Sequence, residues 1–315
     1  MTELSVDVVI PVFNNWELTR GCLEHLRQQT KSHSVIVTDN ASTDRTPERV
    51  RSEFPEVQLV ELDANHGFAA ACNCGVEAGY SDAVVLLNND VECPPDFLER
   101  LACPFVDERV GSVASVLVQP GAATIDSVGL TADRTLAGFP RLRGYPLGQA
   151  HRPEPTLTGP AGAAGAYRRT AWDQVGGLDE AVFMYGEDLD LALRLRTVGW
   201  TTAVAEDAVA VHLGSASIEH RSSRQRFHGG FARGYLLRRY GVLRSRAAVR
   251  ALATEAIVVV GDAVISHDLA ALRGRAAGWR AGRGRPRLRQ PPGCALGQEI
   301  GFAESLRLRR TVYSK

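Results

Sequence analysis

Polar side chains directly follow three apolar runs of this sequence, and they are the residues whose types could do chemistry. Asp39 ends one such run, and its carboxylate could accept hydrogen bonds from the base or ribose of a nucleotide. Asp90 follows Ala83 to Leu87 and two asparagines, a set of oxygen donors that suits Mg²⁺ or Mn²⁺. His212 follows Val209 to Val211 and is either a ligand or a structural histidine. Turns that satisfy only backbone groups are the alternative for both aspartates.

Three further acids, Glu187, Asp188 and Asp190, open a helix that is predicted to end at Val198. The helix dipole favours acids in a first turn, so a structural role would also explain them. Asp188 shares the apolar face of this helix with three residues at helical spacing, Leu191, Ala192 and Leu195. A carboxylate is rarely placed on such a face without a partner or a task. Asp188 is therefore a candidate general base.

The first hundred residues alternate β-branched apolar runs with helical patterns, and these elements would position the polar side chains. The spacing of apolar residues predicts helices within 16–29 and 68–78, and Thr46-Pro47 is typical of a helix start. Strands are predicted at Val6 to Val12, Val35 to Thr38, Val57 to Leu62, Ala83 to Leu87 and Val113 to Val118. Strands separated by helices indicate a doubly wound α/β sheet, in which ligands bind beyond the carboxyl ends of the strands.

The pattern changes beyond residue 110. Gln119 to Leu157 is rich in Gly, Pro and Arg and too long for a plain connection, which predicts a functional loop region. Gly159 to Ala166 consists mostly of small residues, which is typical of a backbone that passes close to a ligand. Helical patterns follow at Ser217 to Tyr240 and Arg246 to Ala271. The chain from Gly274 on is rich in Gly, Arg and Pro, so we expect much of it to be loosely ordered.

Composition excludes several classes of protein. The chain has 315 residues, of which 44% are hydrophobic and 23% charged, so it is neither wholly disordered nor a polytopic membrane protein. No apolar run approaches the roughly 20 residues of a spanning helix, and no signal-peptide pattern is present. We therefore expect a cytoplasmic protein. Six cysteines in a chain of this length do not indicate a disulfide framework.

A net charge of zero conceals an acidic body and a basic tail. Residues 273–315 carry ten Arg and one Lys against two Glu, a net charge of +9. Such asymmetry indicates nucleic acid or a membrane surface as a partner. The arginines are not interleaved with a series of aromatic residues that could stack on bases, so nucleic acid is not expected. The apolar helix predicted at Leu252 to Leu272, followed by arginines and Trp279, fits an interfacial anchor on anionic lipid; a packed helix with a disordered tail is the alternative.

Six motifs, in their order along the chain, resemble family 2 glycosyltransferases of the GT-A fold. They occupy residues 8–15, 38–44, 65–73, 86–90, 186–194 and 212–217, and include Leu86-Leu-Asn-Asn-Asp90 and Gly186-Glu-Asp-Leu-Asp190. Ile125-Asp-Ser-Val-Gly129 and the Glu-Asp-x-Asp helix are most similar to the rhamnosyltransferase-like branch. The resemblance implies a Rossmann-like nucleotide-sugar-binding sheet with flanking helices. Together with the helical patterns it predicts a catalytic domain over 1–216, a C-terminal helical region over 217–272 and a basic, partly flexible tail over 273–315.

The resemblance also implies roles for individual residues. Asp39 would contact the nucleotide base. Other members of the donor pocket would be Pro11, Phe13, Asn14, Asn65, Gly67, Asn88 and Asn89. Asp90 would be the last acid of the family's metal-binding Asp-x-Asp motif, with Asn88 in place of the first, and His212 could join the metal. Asp188 would be the general base, with Glu187 and Asp190 as secondary acids.

The implied reaction is an inverting, metal-dependent transfer from a nucleotide-diphosphate donor, dTDP-rhamnose or a UDP-sugar. The acceptor would be a hydroxyl of a glycan, a lipid-linked glycan or a small molecule, met in the cytoplasm or at the inner face of the plasma membrane. The alternatives are an inactive nucleotide-sugar-binding module and a nucleotide-sugar pyrophosphorylase. The turn after the first strand lacks the Gly-rich, basic signature of a pyrophosphorylase, and the presence of Asp39, Asp90 and Asp188 argues against a lost activity.

Overall fold

The computed structural model describes residues 4–121, 123–214 and 222–311, and their backbone forms one large sheet with helices on both faces. The strands are β1 (Val6–Val12), β2 (Ser34–Asp39), β3 (Gln58–Glu61), β4 (Ala83–Leu87), β5 (Val91–Glu92), β6 (Val110–Val118), β7 (Ile125–Ser127), β8 (Leu130–Ala132), β9 (Gly138–Pro140), β10 (Ala164–Arg168) and β11 (Thr201–His212). The α-helices are α1 (Trp16–Arg27), α2 (Thr46–Glu53), α3 (Phe68–Glu77), α4 (Phe97–Ala102), α5 (Arg169–Val175), α6 (Glu187–Thr197), α7 (Ser223–Arg239), α8 (Ala248–Ser266), α9 (Ala270–Ala281) and α10 (Phe302–Thr311).

The five strands predicted before residue 120 are confirmed, two of them with identical bounds. Their near-continuous apolar runs reflect burial on both faces of the sheet. Val8 and Ile10 pack in one core with α1, α2 and α4, whereas Val9 packs in a second core with α3, α5 and α6. Alternate residues of one strand therefore fill two different cores.

Strand order places the carboxyl ends of several strands along one edge of the sheet. The order is β3-β2-β1-β4-β10-β6-β11-β5, with β7 beside β6. β1 pairs in parallel with β2 and β4, whereas β10 runs antiparallel to both β4 and β6, and β11 is parallel to β6. Because β10 is reversed relative to both neighbours, β6 and β11 point the same way as β1, β2 and β4.

The C-terminal region contains two separate helices, α8 and α9, where the sequence predicts one, and α9 packs tightly on α7. The helix predicted over Leu252 to Leu272 is wrong, because α8 ends at Ser266 and His267 takes a left-handed conformation with φ 54°. Asp268 then accepts a hydrogen bond from the Ala270 nitrogen (2.8 Å) at the start of α9. α9 folds back on α7 through glycines of both helices, Gly230, Gly234, Gly274 and Gly278, each of which abuts the partner's backbone.

The basic tail differs from the loosely ordered segment expected from its composition. α9 contains its first residues, α10 lies near its end, and Arg275 and Arg309 donate to the buried carboxylate of Glu255. Burial alone would raise the pKa of Glu255, but these two arginines and Arg233 hold it well below its usual range. Leu296 of the tail shares a core with residues of the sheet-bearing part. The predicted boundary between residues 216 and 217 lies outside the described residues.

In the described part of the chain, no helix combines the length and apolarity needed to cross a membrane.

Candidate active site

The loop that follows β2 forms one end of a site along the carboxyl edge of the sheet. Asp39 is buried at the end of β2, and its Oδ2 accepts a hydrogen bond from the Ser42 nitrogen (3.0 Å). Its Oδ1 is buried and has no hydrogen-bond partner among the described residues. Burial raises the pKa of Asp39, and the hydrogen bonds from Ser42 oppose that shift. A hydrogen-bond donor of a ligand would give this buried oxygen the partner that it lacks.

Asn40, which sequence analysis did not select, ties this loop to the start of α3. Its amide donates to Asn65 Oδ1 (3.1 Å) and to the Gly67 carbonyl oxygen (3.1 Å), and its oxygen accepts from the His66 nitrogen (2.9 Å). A buried asparagine with three such bonds fixes the loop that carries Asn65 and Gly67. The sequence signal was its place beside Asp39 in a motif of turn-forming residues.

Gly67 brings this loop against the segment that precedes α6. Its φ is 92°, and an added Cβ would lie 2.5 Å from the Phe183 carbonyl oxygen, so only glycine fits. The next residue, Phe68, donates its backbone N–H to that same oxygen (2.8 Å). The loop before α3 and the segment that leads into α6 are therefore in direct contact.

Asp188 sits at the start of α6, below the small-residue segment that precedes β10. Its Oδ2 accepts from the Gly162 nitrogen (3.0 Å) and its Oδ1 from the Leu189 nitrogen (2.7 Å). The side chain is partly exposed, and burial raises its pKa while the backbone hydrogen bonds oppose that rise. Part of the reason for small residues in this segment is the packing of α6, since a Cβ at Gly159 would overlap Ala192.

The other two acids of α6 have different surroundings. Asp190 is completely buried and holds Arg194 (2.7 Å) and the Tyr240 hydroxyl (3.0 Å), so it fixes α6 on α7. Glu187 is 5% exposed, and its Oε2 has no hydrogen-bond partner among the described residues. Burial, followed by repulsion from Asp188, raises the pKa of Glu187 well above its usual value. Asp188 is thus the acid of this turn that solvent can reach.

His212 joins Asp90 to a carboxylate that sequence analysis did not select as a site residue. His212 Nδ1 lies 2.8 Å from Asp126 Oδ2, and His212 Nε2 lies 3.5 Å from Asp90 Oδ1. Arg143 lies 3.1 Å from the other oxygen of Asp126. Burial would lower the pKa of His212, but the two carboxylates raise it to about 9. Asp126 lies within Ile125-Asp-Ser-Val-Gly129, and this motif was the sequence signal for it.

The donor set at Asp90 fits a divalent cation. Among the described residues no three His, Cys, Asp or Glu side chains converge on one metal position. Mg²⁺ and Mn²⁺ are commonly held by one or two protein ligands together with substrate phosphates. Asp90 Oδ1 and His212 Nε2 face each other, and Asp126 fixes the other ring nitrogen, an arrangement typical of metal-binding histidines.

The remaining predicted site residues divide between the cleft and its support. Pro11, Phe13 and Asn88 are partly exposed at the same edge of the sheet. Asn14 has φ 61°, and its side chain accepts from the Thr43 nitrogen (2.6 Å), so it braces the Asp39 loop. The Asn89 amide donates to Thr19 of α1 (3.0 Å), which directs it into the fold.

Comparison with known proteins shows which enzymes this chain is similar to in sequence. N-acetylglucosaminyl-diphospho-decaprenol L-rhamnosyltransferase of Mycobacterium tuberculosis is 30% identical over 202 residues, which are 57% of this chain and 66% of that protein. Pre-mycofactocin glycosyltransferase of the same species is 28% identical over 231 residues, 72% of this chain and 46% of that protein. The chain therefore spans about two thirds or less of the length of these curated relatives.

Solved structures give the same fold. A mannosyltransferase of Pyrobaculum calidifontis in complex with GDP-Man and Mn²⁺ aligns with a TM-score of 0.55 and 21% identity, covering 90% of this chain and 76% of that one. GalNAc-T7 with UDP, GalNAc and Mn²⁺ aligns with a TM-score of 0.59 and 13% identity, covering 99% and 58%. Both likenesses concern the fold alone, and they confirm the predicted GT-A fold. Since the family model for glycosyl transferase family 2 matches residues 7–176, more than half of the sequence, this chain belongs to that family.

Proposed function

We propose that the chain is an inverting, metal-dependent glycosyltransferase that uses a nucleotide-diphosphate sugar. The observation that carries this proposal is the grouping of three features at one sheet edge. They are the unpartnered Oδ1 of Asp39, the facing pair of Asp90 and His212, and Asp188, which is partly exposed. A nucleotide, a diphosphate and an acceptor hydroxyl need one of these features each.

Asp39 would select the nucleotide. Its Oδ1 can accept the N3–H of thymine or uracil, and that bond would offset the cost of burying the carboxylate. The donor we favour is therefore dTDP-rhamnose or a UDP-sugar. The 30% identity to a rhamnosyltransferase supports the first of these.

Asp90 and His212 would hold the divalent cation, Mg²⁺ or Mn²⁺, against the donor diphosphate. When bound, the cation offsets negative charge on the departing diphosphate. Asp126 would keep His212 in the tautomer that presents Nε2 toward Asp90. Asn88 lies next to this pair, at the end of β4, and would line the same pocket.

Asp188 would take the proton from the acceptor hydroxyl as that oxygen attacks the anomeric carbon. A pKa raised by burial makes its carboxylate a stronger base, provided that it is ionised. The backbone N–H groups of Gly162 and Leu189 hold both oxygens in place. A single displacement inverts the configuration and needs no covalent intermediate, so one carboxylate is enough.

The acceptor we favour is a lipid-linked glycan, because a curated relative is named for a diphospho-decaprenol acceptor. Access to such an acceptor would be from an anionic membrane surface. Trp279, which the sequence suggests as part of a membrane anchor, packs against Arg238 in the structure (5.0 Å from ring centroid to guanidinium carbon), so other residues would face the membrane. The exposed apolar side chains of α8 would do so instead: Val249, Leu252, Val260 and Val264. Their spacing puts them along one side of the helix.

A vesicle experiment tests this surface. Val260→Glu/Val264→Glu should reduce co-sedimentation with anionic vesicles, because charge is costly at the acyl boundary. Val106→Glu is the control, since Val106 is also exposed but lies in the short turn between α4 and β6, far from α8 in the sequence. Equal co-sedimentation of all three proteins would exclude the α8 surface.

The reaction itself is tested by Asp188→Asn. We expect this variant to keep its fold and donor binding and to lose about 10²-fold or more in transfer, the usual scale of a lost general base. Asp207→Asn, at an exposed aspartate of β11, is the matched control. Turnover of Asp188→Asn near that of the control would remove Asp188 from the role of base. Donor binding without any turnover in the unaltered chain would favour an inactive binding module.

A further inference from the structure

A cavity lined by arginines lies away from the sheet edge, where the end of α7 meets the segment that follows α9. Its volume is about 270 Å³. Leu237 and Trp279 contribute apolar surface to it. The charged residues of its lining are Arg238, Arg244, Arg285 and Arg287, and no Asp or Glu of the described residues belongs to that lining.

We propose that this cavity binds the oxyanion of a phosphate or diphosphate group, carried by a free ligand or by a lipid headgroup. Arginine presents a planar fork of N–H donors that matches phosphate oxygens, and several such groups around one cavity repel one another until an anion is bound. The site is separate from the catalytic cleft and does not depend on the proposed transfer reaction.

Most arginines of the cavity lack the carboxylate partners found elsewhere in the C-terminal region. Among the described residues, no Asp or Glu lies within ion-pair distance of Arg238, Arg244 or Arg287, whereas Arg285 lies 3.2 Å from Asp179. By contrast, three arginines in the nearby helix core share an ion pair with Glu255. The fold thus supplies carboxylates to its structural arginines and leaves the cavity cationic.

The backbone around the cavity holds its arginines in position. Gly284 turns the chain with φ 79°, which only glycine adopts readily, so that the arginines after it face α7. Gly282 packs on Arg238, because a Cβ there would lie 3.2 Å from Arg238 Cδ. The Leu288 nitrogen donates to the Arg239 carbonyl oxygen (2.8 Å), which fastens the segment to the end of α7.

The size of the cavity limits what it can take. Sites for whole small molecules usually occupy about 300–1,000 Å³. A cavity of about 270 Å³ is just below that range, so it suits one phosphate or diphosphate group rather than a complete nucleotide sugar. The indole of Trp279, already under the Arg238 guanidinium, would exclude water from one side of the bound group.

Titration of the full chain with inorganic pyrophosphate, followed by calorimetry in EDTA at low salt, tests the proposal. EDTA removes the divalent cation on which diphosphate binding in the catalytic cleft would depend. Arg244→Gln/Arg287→Gln should weaken pyrophosphate binding at least tenfold, because each guanidinium donates charge-assisted hydrogen bonds. Both side chains are exposed, so the fold should be retained. Nucleotide-diphosphate binding with Mn²⁺ should be unchanged, which separates this result from a failure of the proposed function.

Arg246→Gln/Arg273→Gln is the matched control, since it removes the same charge from exposed arginines outside the cavity. Binding by this control within twofold of the unaltered chain supports the site. A parallel arm uses vesicles with and without phosphatidic acid, and binding that needs Arg244 and Arg287 in that arm alone identifies a lipid headgroup as the source. Equal losses in both double variants, or no saturable binding of either probe, would overturn the proposal.

Discussion

Because α9 crosses α7 closely at Gly278, the structure allows a direct estimate of how much Gly278→Ala lowers the free energy of unfolding. A Cβ at Gly278 would overlap the Phe231 carbonyl oxygen and would lie 2.8 Å from its carbon and 2.9 Å from the Tyr235 nitrogen. All three atoms belong to the backbone of α7, so no side chain can turn away. Since ordinary contacts begin at 3.4 Å, the contact with the carbon alone requires α9 to move by about 0.6 Å, and the overlap with the oxygen requires a larger shift.

The magnitude follows from two opposing effects. Replacing a glycine inside a helix by alanine stabilises that helix by about 0.5–1 kcal/mol. Overpacking costs about 1–3 kcal/mol or more, and the upper part of that range applies where the obstacle is backbone. We therefore expect Gly278→Ala to lower the free energy of unfolding by about 2 kcal/mol. For a chain of this size, that corresponds to roughly 4 °C in Tm.

Urea unfolding, followed by circular dichroism and tryptophan fluorescence, measures this change. Trp279 is adjacent to the substituted position and reports on α9. Gly261→Ala in α8 is the control, because an added Cβ there meets nothing within 4 Å and should stabilise the chain slightly. If Gly278→Ala matched the control in stability, the helices would not cross as closely as described. Loss of transfer should accompany the loss of stability, since α7 packs against Gly186 at the start of α6.

The remaining predictions concern the active site. Exhaustive chelation should abolish transfer, and Asp90→Ala should weaken nucleotide-diphosphate binding in calorimetry only when Mn²⁺ is present. Asp126→Asn should weaken Mn²⁺ binding about 10–100-fold through the altered support of His212, measured by electron paramagnetic resonance of free Mn²⁺. The pKa of Asp188 is raised, and the base must be ionised. The kcat/KM should therefore fall as the pH falls through that pKa, with an acid limb above the ordinary range of aspartate, in a pH profile of transfer.

The donor side of the cleft could be predicted from sequence because its residues follow strands. β1 and β4 have the bounds that their apolar runs predicted, so Asp90 falls where expected. Asp39 is itself the last residue of β2. Residues after parallel strands meet at one edge whatever the helices do in detail. In this half of the fold, the positions of the apolar runs were therefore enough to predict which distant residues come together.

The support for His212 could not be predicted in the same way. Asp126 is 86 residues away from His212 in sequence and lies in a stretch without periodicity. It reaches the histidine because β7 pairs with β6, and that pairing contains an irregular register. Nor could periodicity rank the three acids of α6, since packing against α7 makes Asp190 more buried than Asp188.

The net charge of the basic tail does not by itself identify the partners of its arginines. Its charge of +9 suggested a flexible segment that attracts an anionic surface. In the folded chain Arg275 and Arg309 form ion pairs with Glu255 of α8. No local sequence pattern predicts these pairs. Arg287, which belongs to the same basic tail, instead lines a cavity whose lining contains no carboxylate among the described residues. The attraction of this region for anions is therefore set by which arginines the fold leaves without carboxylate partners, and the cavity places one such arginine of the tail beside two from α7 and the turn that follows it.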